Sequence, residues 1–477
     1  MDAIWYKGND GSQDGRLGRL VSKSSFRHGY RLLAGALAGL VLSGLFFASC
    51  STKEEEPQEQ TLLQKLQAVP GFQVTQIQTL AGFVESFQID ITQPADHANA
   101  AAGSFAQRFY LSHRSDSAPM VFYTSGYGIG RNSEPELSAL LRANQILLVH
   151  RFFPDAVPPD WQYLTIRQAA DDQHRIREAL RNLYPGKWVS TGASKGGMTA
   201  LFYRRYHPGD VDATVAYVAP VMPYPDDPRF ARFLSSVGSA DCRTKIWDFQ
   251  RRVLSRRVSL LDLFRQYAQS KGYAFSIISD EAAFEYTVLE YPFAFWQYGA
   301  ESDCAGIPEA DASDQQVLDH LVDVSSPYYY SDEGFLYFQP LFYQAYTEIG
   351  YCPYVYDHLK GFLQTIPRPD YRAFAPRGVD LVFRPEVMQD VIPWLQTQGQ
   401  RIIYIYGGID PWTAAAVIPA GGLDVVKVVQ PGANHGVKIG DLDQKELVIQ
   451  ALEQWLNIQI DRSILAAWKG SPERVRL

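Results

Sequence analysis

Four short apolar runs, residues 119–124, 145–150, 187–191 and 213–219, alternate with stretches of helical periodicity. Short buried strands separated by helices argue for a mostly parallel sheet flanked by helices. The third run leads into Gly192, Ala193, Ser194, Lys195 and Gly196, the G-x-S-x-G pattern that sets a serine on a tight strand-to-helix turn with its hydroxyl exposed. Before it, Ile166, Ala169, Ala170, Ile176, Leu180 and Leu183 recur near helical spacing, and Pro185 with Gly186 stops that helix. After it, Gly196, Gly197, Met198, Thr199, Ala200 and Leu201 open another helix, with small residues where it must lie close against the strand. A pattern this short proves little alone. With helix, strand, turn and helix around it, Ser194 reads as a nucleophile rather than a serine in a glycine-flanked turn.

The rest of the chain arranges itself around this centre. From residue 83, FVESFQIDI and SFAQRFYLSH alternate apolar and polar residues across a turn rich in proline, alanine and glycine, which reads as an antiparallel hairpin. Residues 225–394 are rich in aromatic and charged side chains and read as a mainly helical insertion. Strand runs return in RIIYIYGGIDPW and DVVKVVQPGANHG, and a closing amphipathic helix follows over about residues 444–459. Residues 63–224 and 395–477 thus form the two parts of one α/β core, with residues 225–394 as a cap.

Residues 1–49 stand apart. Arg27 and Arg31 precede the apolar run LLAGALAGLVLSGLFFASC, which reads as an export signal. Its end, Phe47, Ala48, Ser49 and Cys50, resembles a bacterial lipobox, with Cys50 as the lipid attachment residue. Residues 50–62 read as a flexible tether. The expectation is a protein outside the cytoplasm, lipid-anchored to the bacterial envelope, at the outer membrane and on its surface. The formal charge of −8 over 477 residues argues against a nucleic-acid partner. Beyond Cys50 the cysteines are Cys242, Cys304 and Cys352; their spacing fits no zinc pattern, and outside the cytoplasm one disulfide with a leftover thiol is expected. Which two pair is not readable.

A serine hydroxyl becomes a useful nucleophile only when a base accepts its proton, and the base needs a carboxylate to orient it. Asp410 follows the strand at residues 401–406 through Gly407 and Gly408, and His435 follows the strand at residues 424–429 through QPGAN. Both sit where a strand's carboxyl end meets a loop, and the chain order Ser, Asp, His is that of an α/β-hydrolase. Asp410 has a plainer reading as the cap of a turn before Pro411. The other histidines lack this setting. The oxyanion needs two backbone donors: the Lys195 N–H and one from Gly126 or Tyr127, in the glycine-rich loop after residue 124. The same loop partly matches a dinucleotide finger, but its third glycine comes too soon.

Several motifs occur together in one order: QPADH, FAQR, TSGYG, HRFF, GASKGG, YQAYTEIG, GGIDPW and NHG. In this the chain resembles the secreted bacterial prolyl tri/tetrapeptidyl aminopeptidase family, and is similar to the lysosomal Pro-X carboxypeptidases and dipeptidyl peptidases. The resemblance spans about residues 75–460. It implies an α/β-hydrolase core, a helical cap, no metal or cofactor, peptide substrates, and release of short peptides, three residues long in the first instance, from the amino terminus. Ser194, Asp410 and His435 take the triad positions. An acid is then needed for the substrate ammonium, and Glu348 in YQAYTEIG is the candidate, supported by Tyr343 and Gln344; its plainer reading is a pair with an arginine that holds cap to core. The aromatic stretch SSPYYYSDEGFLYFQPLFYQ reads as lid packing before it reads as a pocket wall. Two other functions compete: an esterase or lipase on the same fold, and a non-catalytic, peptide-binding surface lipoprotein.

Overall fold

The computed structural model describes residues 60–468; Cys50 and the export signal lie outside them. Nine strands form one sheet: β1 (Phe72–Ile77), β2 (Glu85–Pro94), β3 (Ser104–His113), β4 (Met120–Thr124), β5 (Asn144–Leu148), β6 (Trp188–Ala193), β7 (Ala213–Tyr217), β8 (Ile402–Gly407) and β9 (Val425–Gln430). Their order is β1-β2-β3-β5-β4-β6-β7-β8-β9. The first three strands run antiparallel to their neighbours, with Glu85 opposite His113 in the expected hairpin, and β4 to β9 are mutually parallel. Every residue of β5 and of β8 is buried, as a strand covered on both faces requires. β1 goes beyond the expected hairpin: its alternation of Phe72 and Val74 with polar residues suits an edge strand whose outer face meets water.

Helices cover both faces. They are α1 (Leu62–Gln67), α2 (Glu136–Leu140), α3 (Ile166–Leu180), α4 (Lys195–Tyr206), α5 (Arg229–Leu234), α6 (Ala240–Ser255), α7 (Arg257–Lys271), α8 (Asp280–Tyr298), α9 (Asp314–Val324), α10 (Asp332–Gln344), α11 (Pro385–Thr397) and α12 (Lys445–Leu456). In α3 the buried side chains include Ile166, Ala169, Ala170, Ile176 and Leu180, the stripe expected from spacing, and the Thr165 side chain caps its first turn. Between β7 and β8, α5 to α10 build the helical region, while α11 lies against α4 and leads into β8. A single apolar cluster runs from Met198, Leu201 and Ala216 of the core into Phe249, Phe284 and Trp296 of the cap helices. Cap and sheet are therefore packed as one body of apolar side chains. Cys242 at the start of α6 is bonded to Cys304 beyond α8, and Cys352 is a buried free thiol.

Candidate active site

Ser194 stands between β6 and α4, at the cap position of the helix, with φ 56° and ψ −126°, a strained conformation that lifts a side chain out of the strand-to-helix turn. The turn closes only because glycines surround it. A Cβ on Gly196 would lie 2.2 Å from the Thr124 carbonyl oxygen, and one on Gly192 would lie 2.4 Å from the Gly196 carbonyl carbon. The GASKGG motif is thus fixed by the close approach of the elbow to the loop after β4.

His435 Nδ1 is 2.7 Å from Asp410 Oδ2, and both residues are buried, 5% and 0% exposed. The other carboxylate oxygen, Oδ1, accepts the Trp412 N–H at 3.1 Å. Asp410 is both an orienting acid and the cap of the turn that follows it, one oxygen for each task. The His435 ring packs against Tyr298 and Trp412, which both line the cavity that contains Ser194. Its Nε2 is buried with no hydrogen-bond partner, leaving it free to receive a proton; serine-to-base bonds commonly tighten only when substrate arrives. The loop carrying the histidine is held from the cap: the His435 N–H donates to the Gln297 carbonyl at 3.0 Å, and Asn434 Nδ2 to the Gly299 carbonyl at 3.1 Å.

The glycine-rich loop sits beside the elbow: Gly126 is at φ 74°, and a Cβ there would lie 2.5 Å from the Gly196 amide nitrogen and 2.6 Å from the Lys195 carbonyl carbon. Lys195 begins α4, so its N–H has no partner within the helix. The Tyr127 N–H donates to Ser125 Oγ at 3.0 Å. That bond engages the Tyr127 amide, which counts against its expected oxyanion role. The Lys195 side chain is buried, with Nζ donating to the Gly126 carbonyl at 2.8 Å above the Tyr127 and Phe153 rings. Burial pulls its pKa down to about 7.

The other motifs meet beneath this loop. Arg151 reaches Asp172 through two bonds, Nε to Oδ2 at 2.8 Å and Nη2 to Oδ1 at 2.7 Å, and His97 Nε2 lies 2.8 Å from the same Oδ1. Gln93 Nε2 donates to Gln107 Oε1 and to the Asp172 carbonyl. A small cavity is walled by Gly126, His150, Arg151 and Asp172, so this network abuts the oxyanion loop. QPADH, FAQR and HRFF each contribute to it.

The cavity above Ser194, about 970 Å³ including its open mouth, is roofed by the cap. Ser325, Ser326, Tyr329, Tyr330, Phe338 and Leu341 from the aromatic stretch line it, so that stretch is a pocket wall as well as packing. Glu348, Tyr343 and Gln344 do not line it. Residues Ala345–Ile349 form a π-helical turn, which rotates Glu348 towards the start of α3. There Oε2 accepts the Ile166 N–H at 2.7 Å and Oε1 pairs with Arg384 Nη2 at 2.6 Å. A carboxyl group at a helix amino terminus satisfies an orphan N–H and the helix dipole, so Glu348 holds cap to core, as its plainer reading has it. Tyr343 packs on Trp161, and Gln344 is buried with its Oε1 unpartnered. The acid that does line the cavity is Glu290 of α8, which no sequence pattern singled out.

Among the described residues, His174, His207 and Asp210 alone bring three metal-type ligand atoms within 4.8 Å of one another. His174 and His207 stack at 4.2 Å with nearly parallel planes, so no ion can lie in both ring planes as imidazole ligation prefers. Each ring is bonded to a carboxylate, Asp210 and Asp171 respectively.

Residues 55–462 match the family model described as PS-10 peptidase S37. The chain is 34% identical over 442 residues to the prolyl tri/tetrapeptidyl aminopeptidase of Streptomyces mobaraensis, covering 90% of this chain and 92% of that one. Among solved structures it is similar to the proline iminopeptidase of Mycobacterium smegmatis, with 12% identity, 80% and 100% of the two chains covered and a TM-score of 0.35. It is also similar to acetyl xylan esterase 1 of a Thermoanaerobacterium species, with 10% identity, 82% and 90% covered and a TM-score of 0.34. An elbow serine, a histidine held by a buried aspartate and a roofed cavity are the parts a serine peptidase needs, and a match over most of the sequence agrees with them: this chain belongs to the PS-10 peptidase S37 family.

Proposed function

We propose that this serine peptidase is an aminopeptidase that removes short peptides, three residues long in the first instance, from the free amino termini of its substrates, with proline favoured before the cut. The observation that carries the reading is the cavity: Ser194 lies in its wall under the cap helices, so a chain end can reach the hydroxyl and the middle of a folded chain cannot. The name and 34% identity of the Streptomyces relative support the choice of end and the proline preference.

The His435–Asp410 pair and the elbow serine support an acyl-enzyme route. Ser194 Oγ attacks the scissile carbonyl carbon as its proton passes to His435 Nε2, and Asp410 holds the ring and balances the imidazolium. The carbonyl oxygen, now negative, takes hydrogen bonds from the Lys195 and Gly126 N–H groups. Collapse breaks the C–N bond, and the proton on Nε2 leaves with the departing amine. Water then attacks the acyl ester by the same route, releasing the short peptide and restoring Ser194.

Mass spectrometry of a peptide panel tests this, with free and acetylated amino termini and proline at varied positions, digested by residues 51–477 and by a Ser194→Ala control. Short amino-terminal fragments from free-amine peptides only, absent in the control, are expected. Cleavage of esters but not peptides would select an esterase; inertness to serine-directed phosphonates would select the binding protein. We place the enzyme outside the cytoplasm, anchored through lipid on Cys50 at the envelope surface. The apolar run ending in Cys50 and the Cys242–Cys304 disulfide support this, and absence of labelled palmitate on the protein made in a lipoprotein-competent host would refute it.

A further inference from the structure

The described part of the molecule buries several carboxyl groups, and nearly all have an obvious structural partner. Asp172 has Arg151, Glu348 has Arg384, and Asp410 has His435. Glu285 has Arg257 and the N–H groups of Gln364, Thr365 and Ile366. Glu136 accepts from the Ile439 and Gly440 amides and from Tyr217. Glu290, half-buried in the cavity wall, differs in kind. Its Oε2 accepts from the Tyr371 hydroxyl, Tyr330 is its other hydroxyl partner, and no cation or backbone amide is among the groups acting on it. The titratable groups that face it are Tyr298 on its own helix, Tyr329 and Tyr330 from the turn before α10, and Tyr351, Cys352, Tyr354 and Tyr371 beyond that helix. All are neutral at ordinary pH. Burial without a counter-charge holds its pKa up at about 7. A carboxyl group kept this way is costly in a wall that only needs to pack.

Among the described residues, Glu290 is also the sole carboxyl group lining the cavity that contains Ser194, and the sole cationic side chain there, Lys195, is bonded to the Gly126 carbonyl at the serine's own loop. The cavity therefore offers an incoming chain end one carboxyl group without a counter-charge, which an arriving ammonium would hold in its ionised form, ringed by aromatic hydroxyls whose ring faces also favour a cation. It offers no free cation to receive a terminal carboxylate. We propose that Glu290 is the anchor for the α-ammonium group of the substrate's first residue, with the Tyr371 and Tyr330 hydroxyls orienting its carboxylate. This rests on the aminopeptidase reading and gives that reading its physical basis: amino termini are accepted and carboxyl termini refused because of the charge on one side chain.

Calorimetric binding separates the two claims. The probes are a pentapeptide with proline at its third position and the same peptide lacking the terminal amino group, each titrated into the Ser194→Ala protein, which cannot turn them over. The free-amine peptide is expected to bind about 100-fold tighter, the worth of a hydrogen-bonded charge pair out of water. Adding Glu290→Gln should bring the two within about 3-fold while leaving the desamino peptide unchanged. A free-amine preference that survives Glu290→Gln, or equal loss for both peptides, overturns the anchor and leaves the aminopeptidase standing. If neither peptide binds the Ser194→Ala protein, the aminopeptidase reading falls and the anchor with it. Folding of Glu290→Gln is verified by an unchanged circular-dichroism spectrum and a cooperative thermal transition. Should it not fold, Tyr371→Phe takes its place, with an expected loss of about 5-fold for the free-amine peptide alone and refutation if both peptides lose equally.

Discussion

Replacing Asp172 by asparagine removes one negative charge and almost no volume, yet it strikes the centre of the network under the oxyanion loop. Arg151 is 0% exposed and relies on both Asp172 oxygens, at 2.8 and 2.7 Å, for its counter-charge; its remaining bonds go to the Ala95 and Tyr163 carbonyls, which are neutral. Removing one member of a buried pair leaves the other charged and desolvated, at a cost of about 3–5 kcal/mol. The amide side chain also turns a donor towards Arg151, where only an acceptor fits. Urea unfolding followed by tryptophan fluorescence should show the Asp172→Asn free energy lowered by that amount. Fluorophosphonate labelling of Ser194 should slow as well, because Gly126 and Asp172 wall the same small cavity. The double variant Arg151→Met with Asp172→Leu removes both charges and should recover at least half the loss. A cost for Asp172→Asn below about 1 kcal/mol, or a double variant as unstable as the two singles combined, would refute the reasoning.

Further outcomes follow from single contacts. Gly196→Ala puts a methyl group 2.2 Å from the Thr124 carbonyl oxygen, with backbone on both sides and nothing able to yield, so Ser194 labelling should vanish; wild-type labelling would contradict the elbow packing. Lys195→Met removes the bond to Gly126 O and should lower kcat about 10-fold with KM little changed, since the loop donor drifts while the far cavity is untouched; a rise in KM alone would contradict this. Glu348→Gln should cost stability by about 1–3 kcal/mol through its lost pair with Arg384, without altering the preference for free amino termini. Glu136 is held at about 7 by burial, above the ordinary carboxyl value. The folded state therefore keeps its proton longer than the unfolded chain, and the stability this group contributes is full below about pH 4.5 and lost as pH rises to about 7. The stability of the wild type relative to Glu136→Gln should fall over that interval; a flat difference would contradict it.

The elbow at Ser194 and the pairing of His435 with Asp410 were legible because their rules are local. A nucleophile on an elbow needs glycines at fixed offsets, and the residues at strand ends with glycine beside them, Asp410 and His435, announce themselves for the same reason. Cap residues obey no such rule. Helix α8 is buried over most of its length, from Ala283 to Gln297, so no amphipathic stripe distinguishes the side that faces the cavity from the side that faces the sheet. The one available signal for Glu290 was an acid inside a nearly continuous apolar run, and Glu285 gives the same signal while serving Arg257 instead. Glu348 misleads through register: a π-helical turn carries an extra residue relative to the α-helical count, so the face read from spacing is not the face presented. Tyr127 misleads because a serine two residues earlier captures its amide, a competition that spacing does not reveal. The pairing of Cys242 with Cys304 required the path of α6 to α8, which is tertiary information throughout.

The two bonds from the cap to the histidine loop change what opening the enzyme would mean. Gln297 and Gly299, at the end of the roof helix, hold the backbone of His435 and the side chain of Asn434. Any swing of that helix away from the sheet breaks both bonds and slackens the loop that presents the base. Widening the entrance and disarming the serine are then one event. A large folded protein able to prise the roof apart would meet a hydroxyl without its proton acceptor, while a peptide end small enough to slip beneath a closed roof meets the complete apparatus. Selection by size in such a molecule does not depend on the width of the doorway alone; it is written into the conditions under which the chemistry is switched on.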